Sequence, residues 1–308
     1  MNPLLATLGT RLTERWLNLL VLPGALFLGV TSVGATLGHR HWHDLDRLRT
    51  AVDDLATRPA LDRTGTAVLL AAGALLAATA VSLAAQYLAG VIELYWLRSA
   101  RDPLSHALVD RRRRAWLRRD EAFRDALRRT TVTDPGEGDT VTAPHREVAR
   151  LDALAAARDR VALLEPTRPT WYGDRMQATA ERVRAVHGVD LAALWPRLWL
   201  ILAEPAGREI RSARDSFGAA ARLASWAVGY ALLALWWWPA ALIAVGCAAA
   251  ARSRARNALD ALADLIEAAV DVHGLELASR IGLVGTDSPG PLDHGTGNRM
   301  SELFRKAD

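Results

Sequence analysis

The sequence predicts an all-α integral membrane protein, with four transmembrane helices in two hairpins and a cytoplasmic helical insert. Three observations predict it. The stretches Trp16–His39, Thr64–Ile92 and Leu223–Ala251 contain no Asp, Glu, Lys or Arg, and about 20 apolar residues suffice to cross a hydrocarbon core. The polar segments between them place apolar residues at helical spacing and show no sustained alternation of the strand type. Arginines crowd some flanks of the apolar stretches and avoid others, as the positive-inside rule describes. The 308 residues allow at most two compact units. With 51% hydrophobic and 23% charged residues, wholesale disorder is excluded. A single cysteine excludes a disulfide framework. Lys306 is the only lysine among 38 basic residues, and alanine is abundant. That pairing reflects GC-rich codons, so arginine content does not argue for nucleic acid, and no nucleic-acid partner is expected.

Residues 1–15 form a short cytoplasmic N-terminus. The first apolar stretch fits one span, kinked at Pro23 and bracketed by Trp16 and Trp42 at the two interfaces. Val33-Gly34-Ala35 resembles a signal-peptide cleavage site, but the apolar stretch continues at spanning length, which favours a signal anchor. The second span centres on Thr66–Leu88, and its excess length implies tilt or a helical extension. Residues 16–97 thus make the first hairpin, with an extracytoplasmic loop at 40–63. In the third stretch, Trp236-Trp237-Trp238-Pro239 combines interfacial aromatics with a helix breaker. Arg208, Arg211, Arg214 and Arg222 precede it, and Arg252, Arg254 and Arg256 follow. Two cytoplasmic flanks need an even number of crossings, so residues 217–253 are expected as a tight hairpin rather than one kinked span. Arg98–Arg129 carries 11 arginines against five acids, whereas His39–Arg63 carries five of each. Both termini are therefore expected inside.

The insert, residues 98–216, is expected to be helical. Arg101–Thr130 is a helix with Arg111, Arg112, Arg113 and Arg114 at its middle, either a polybasic surface for anionic lipid headgroups or an ordinary positive-inside flank. Thr131–His145 is a loop, broken by Asp134-Pro-Gly-Glu-Gly-Asp. Arg146–Leu164 is a second amphipathic helix. Asp174-Arg175-Met176-Gln177 has the spacing of a capping box, with Asp174 as the acceptor. That helix runs to Gly188, a left-handed C-cap, and Asp190 caps the next, Leu191–Leu202. This last helix is too short to span, so it is buried or interfacial. Arg197 within it either snorkels beside Trp195 and Trp199 or binds a partner.

Pro169-Thr170-x-x-Gly173-Asp174-Arg175, Val189-Asp190 and Trp195-Pro196-Arg197-Leu198-Trp199 together resemble a motif set of actinobacterial multi-span membrane proteins without an assigned activity. The set covers about 30 residues, and the hydrophobic layout extends the similarity over most of the chain. This chain has Asp174 where that pattern often has Asn, and His187 where it often has Tyr. The resemblance implies paired hydrophobic segments on each side of a cytoplasmic helical part, in a bacterial inner membrane. It implies no chemistry.

Residues 254–283 are expected as a cytoplasmic amphipathic helix ended by Gly282. Leu259, Ala263, Ile266, Val270, His273 and Leu277 form a pairing seam, within the chain or between protomers, beside an acidic stripe of Asp260, Asp264, Glu267 and Asp271. Residues 284–308 are expected as a flexible tail.

The motifs of phosphate-binding loops, kinases, serine hydrolases and zinc metalloproteases are missing, so no catalytic residue and no cofactor is expected. His39, His43 and Asp46 form the one cluster with metal-ligand character, and interfacial polar filler is the favoured explanation. Small-residue faces (Gly34-x-x-x-Gly38, Ala74-x-x-x-Ala78-x-x-x-Ser82, Ala240-x-x-x-Ala244-x-x-x-Ala248) suit close helix packing. The resulting expectation is a membrane-anchored scaffold or assembly module, a homo-oligomer with a cytoplasmic protein partner. The alternative is an oligomeric pore.

Overall fold

The computed structural model describes residues 21–39, 42–57, 64–132, 142–285 and 290–305. Trp16 and the loops around Arg58–Arg63 and Asp134–Asp139 lie outside the described residues. Within them every regular element is a helix: α1 (Leu22–Leu37), α2 (Leu45–Ala56), α3 (Thr64–Leu97), α4 (Pro103–Val132), α5 (Thr142–Asp159), α6 (Trp171–His187), α7 (Leu191–Ile201), α8 (Glu204–Leu233), α9 (Ala240–Arg280) and α10 (His294–Phe304). The chain divides into two compact units, one of Met1–Glu93 with Gly218–Ala255 and the other of Leu94–Phe217 with Arg256–Asp308.

The first unit packs through small residues. A Cβ on Gly24 of α1 would stand 2.0 Å from the carbonyl oxygen of Ala78 on α3, so only glycine permits that approach. Gly34, Ala78, Ser82, Ala240 and Ala244 are buried, which assigns part of each small-residue face to packing inside the chain. Phe27 meets Tyr230 edge-on at 5.3 Å. The Trp/Pro corner separates two helices, because α8 stops at Leu233 and Pro239 directly precedes α9. Within the turn, the Trp237 N–H donates to the carbonyl of Leu233 at 3.0 Å. Among the described residues one helix, Gly65–Leu97, is long and apolar enough to cross a membrane by length and composition, and only 11% of its most apolar window is buried. α1 is a shorter apolar helix.

The second unit has a core of its own. Val189, Leu194, Leu198, Val270 and Met300 are fully buried there. Leu259, Ala263, Ile266, Val270 and Leu277 of α9 are likewise buried within the chain, so the seam is intramolecular and the reading between protomers loses its basis. His273 departs from the buried row and pairs with Glu276 at 3.0 Å.

Residues 284–308 are not simply a tail. Asp293 caps α10 by accepting the Thr296 N–H at 3.0 Å, and Leu292, Met300 and Phe304 enter the core. A Cβ on Gly297 would lie 1.8 Å from the carbonyl oxygen of His187. The sparse apolar content of this segment conceals a helix because glycine, by letting backbones touch, adds to the burial of these few side chains.

Candidate functional site

The start of α6 differs from the expected capping box. Thr170 is the N-cap, accepting the Gly173 N–H on its hydroxyl at 3.1 Å. Asp174 lies in the first turn, and its Oδ1 accepts the N–H groups of Thr167 and Arg168 at 2.9 and 2.8 Å. Its Oδ2 takes Nη1 of Arg112 at 2.5 Å. Arg112 also donates to the carbonyls of Arg168 and Val161, at 2.7 and 2.6 Å. A spacing rule cannot anticipate this, because the partners come from α4 and from the loop before α6. Burial pushes the Asp174 carboxyl above its ordinary range, by more than Arg112 and the two N–H donors pull it down.

Arg175 points to α9. Its Nε donates to Asp260 at 2.8 Å, Nη2 to Asp264 at 2.7 Å and Nη1 to the Thr179 hydroxyl at 2.7 Å. Glu267 completes the row, accepting from Thr179 at 3.0 Å and from Arg182 at 3.1 Å. Asp260 and Asp264 of the acidic stripe therefore share one guanidinium, whose planar fork suits several carboxylates at once.

At the far end of α6, Gly188 adopts φ 70°, the left-handed C-cap expected from sequence. His187 Nδ1 is 3.0 Å from the Leu292 carbonyl and Nε2 is 2.7 Å from Asp271. The ring thereby ties the end of α6 to α9 and to the segment before α10. Asp190 caps α7 as expected, accepting the Ala192 N–H at 3.1 Å. Burial alone would raise its carboxyl, but Arg305 and the N–H groups of Ala192 and Ala193 outweigh it and hold Asp190 below the ordinary range.

These anchors frame a cleft of about 1100 Å³. Gly173, Asp190, Trp195, Pro196 and Trp199 of the motif set line it, facing Ile210 of α8 and Leu262 and Ile266 of α9. The rings of Trp195 and Trp199 are 6.0 Å apart, and Arg211 lies 5.6 Å above Trp199. Arg168, Arg184, Arg211 and Arg214 stand at this wall with only Glu181 and Asp190 as acids. No serine, threonine, cysteine, histidine or lysine is among the lining residues. Sequence reading took Arg211 and Arg214 as topology markers and missed their place in a cleft. Their spacing of three, shared with Arg208, was the available signal.

Arg197 is not in the cleft. It covers the Phe304 ring at 4.1 Å and donates to the Ala193 carbonyl at 2.7 Å, a cation–π contact to α10. The run Arg111–Arg114 does not act as one surface. Arg112 turns inward, Arg113 pairs with Glu165, Arg114 donates to the Asp110 carbonyl, and Arg111 is exposed. His39 is hydrogen-bonded to the Trp236 carbonyl and His43 meets Trp42 edge-on. Among the described residues no three His, Cys, Asp or Glu side chains are grouped to hold a metal, so His39, His43 and Asp46 are not brought together.

No protein-family profile, curated protein or solved structure matches this chain.

Proposed function

We propose that the chain is a bacterial inner-membrane protein with both termini in the cytoplasm, whose second unit is a non-enzymatic assembly module working through the cleft. One observation carries the membrane reading. α3 has the length and composition to cross a bilayer, yet 11% of its most apolar window is covered by the rest of the chain. A core helix of this composition in water would be mostly covered. Leu69, Leu76, Leu235 and Val245 are each about two-thirds exposed or more, an apolar surface that calls for lipid or a partner. From Gly218 to Leu233, α8 rises about 24 Å at 1.5 Å per residue, close to a core of about 30 Å. Arginines at its margins can snorkel. With the arginine asymmetry, this favours four membrane segments in two hairpins. The exposed Arg111 suits anionic headgroups.

The mostly apolar lining of the cleft, with arginines at its wall, suits binding. A pore finds less support. The hydroxyls of Thr31, Ser32 and Thr79 donate to the carbonyls of Phe27, Leu28 and Leu75 on their own helices, so they need no aqueous lumen.

Flotation of the full chain with phosphatidylcholine vesicles, resistant to alkaline carbonate, is the expected result. Recovery as a soluble species would overturn the reading. Reporter fusions at residues 50 and 135 should fall on opposite sides of the membrane, and agreement between them would overturn the topology.

A further inference from the structure

We infer that the outward face of α4 is a docking surface for an anionic phospholipid bilayer, on which the helix lies from Leu104 to Ala122. The inference rests on the membrane reading above and adds which surface of the second unit meets the headgroups.

α4 sorts its residues by face. Ser105, Trp116 and Asp120 are buried, and Arg112 turns inward to Asp174, so one side packs within the unit. At about 100° per residue, Leu108, Arg111, Arg118, Arg119 and Ala122 fall within about 60° of Leu104 around the helix axis, and all six are exposed. Leu104 is 81% exposed. The acids of that stretch, Asp110, Asp120 and Glu121, lie about 100° or more away from Leu104. The charges divide in the same way. Arg113 pairs with Glu165 and Arg124 with Asp120, whereas Arg111, Arg118 and Arg119 make no ion pair among the described residues.

Three features select a bilayer as the occupant. The first is the tether. α4 begins at Pro103, six residues after Leu97, the last of the candidate span, so its first turn stays within about 20 Å of that span's end. The second is the mixture on one face. An interfacial helix sets leucines into the acyl boundary and arginines against phosphates, whereas a nucleic-acid backbone leaves exposed leucines uncovered. The third is a hollow of about 210 Å³ between α4 and α5, lined by Ala115, Arg118, Arg119, Ala122, Leu154 and Ala157. It falls below the roughly 300–1,000 Å³ of ordinary ligand sites and suits one phosphate headgroup beside two guanidinium groups. From Leu104 to Ala122 the face runs about 27 Å at 1.5 Å per residue. Arginines that only record topology would put no lipid at Ala122, and a docked helix does.

The test uses the full chain with Cys247→Ala, which removes the one cysteine. A nitrobenzoxadiazole label is placed on Ala122→Cys or, turned about 100° around the axis, on Glu121→Cys. Vesicles of phosphatidylcholine, alone or equimolar with phosphatidylglycerol, carry a headgroup-nitroxide lipid as quencher. The label at 122 should be quenched on anionic vesicles and not on neutral ones, and more strongly than the label at 121. Arg111→Gln/Arg118→Gln/Arg119→Gln, three exposed substitutions, should lower the docked-to-undocked ratio about a hundredfold, near fivefold for each charge. Without these substitutions, raising salt from about 0.1 M to 1 M should release the label, because the screening length falls from about 10 Å to 3 Å. Equal quenching on both vesicles, quenching indifferent to salt, or a signal unchanged by the triple variant would overturn the proposal. So would a stronger response of the label to a duplex oligonucleotide than to phosphatidylglycerol. Flotation with neutral vesicles reports anchoring alone. Flotation without docking at 122 sinks this inference and spares the anchor. Docking at 122 on anionic vesicles, by a chain that does not float with neutral ones, does the reverse.

Discussion

Nη2 of Arg175 stands 2.7 Å from Asp264 while Nε of the same guanidinium stands 2.8 Å from Asp260, one turn earlier on α9. Asp260, Asp264 and Glu267 follow the helical spacing that puts them on one face. One buried arginine thereby locks α6 to α9 and fixes the wall of the cleft. Arg175→Met leaves three carboxylates facing each other beside buried Thr179. It should lower unfolding free energy by about 2–3 kcal/mol, less than a fully buried pair because Asp264 is exposed. Arg175→Lys should recover only part of this, since an ammonium cannot reach three partners. Chemical denaturation measures both, and equal stability of the two variants would refute the fork.

Gly297→Ala tests the docking of α10. Inside an exposed helix this change stabilises by about 0.5–1 kcal/mol. Here the new methyl would fall 1.8 Å from the His187 carbonyl and 2.7 Å from Val189. The sign should reverse, with a loss of about 2 kcal/mol or more and faster proteolysis at residues 290–305. An increase in stability would place α10 elsewhere.

His187→Phe keeps the bulk but removes both ring contacts, to the Leu292 carbonyl and to Asp271. Hydrogen exchange should quicken in α10 and in the last turns of α6 and leave α4 and α5 unchanged, with a stability loss of about 1–3 kcal/mol. Uniform exchange across the unit would mean that the latch is not local.

The two motif aspartates should respond to pH in opposite senses. The folded chain holds the Asp174 proton more tightly than the unfolded chain, where the group titrates near the ordinary value of about 3.9. Its contribution to stability is therefore complete below that value and declines as pH rises through the higher folded value. Asp190 is depressed, so its contribution is present above about 3.9 and is lost as pH falls through its lower folded value. Unfolding midpoints measured from pH 2 to 7 should show the first slope disappear in Asp174→Asn and the second in Asp190→Asn. In Asp174→Asn the amide oxygen can still accept from Thr167 and Arg168, so the fold should persist.

Leu76 is 71% exposed on α3. Leu76→Arg near the middle of a span should cost about 2.5–3.5 kcal/mol of insertion and reduce the floating fraction. The second unit's thermal transition should be unchanged. If flotation is unaffected, α3 is not needed to anchor the chain.

Local rules were legible in the residue order. Gly188 and Asp190 mark the α6–α7 turn because a left-handed cap and an N-terminal carboxylate act within four residues of themselves. The two faces of the stretch expected as a helix over 254–283 were legible for the same reason, but its continuity with the preceding apolar arm in one helix, Ala240–Arg280, was not. Asp174 misled because it has an N-cap's chemistry, while Thr170 supplies the cap from an extended backbone and Asp174 is recruited by Arg112. α10 misled because its stability comes from contact with distant residues, Val189 and His187 among them.

The sequence by itself determined that the chain is helical, where its apolar stretches lie and which faces of α9 are apolar or acidic, since these depend on periodicity and on backbone hydrogen bonds made nearby. Only the tertiary structure decided that the seam closes within one chain, that Arg112 and Arg175 are internal, and that Trp195, Trp199 and four arginines share a cleft. Those outcomes depend on which distant segments meet, and burial gives a charge its partner only after they have met.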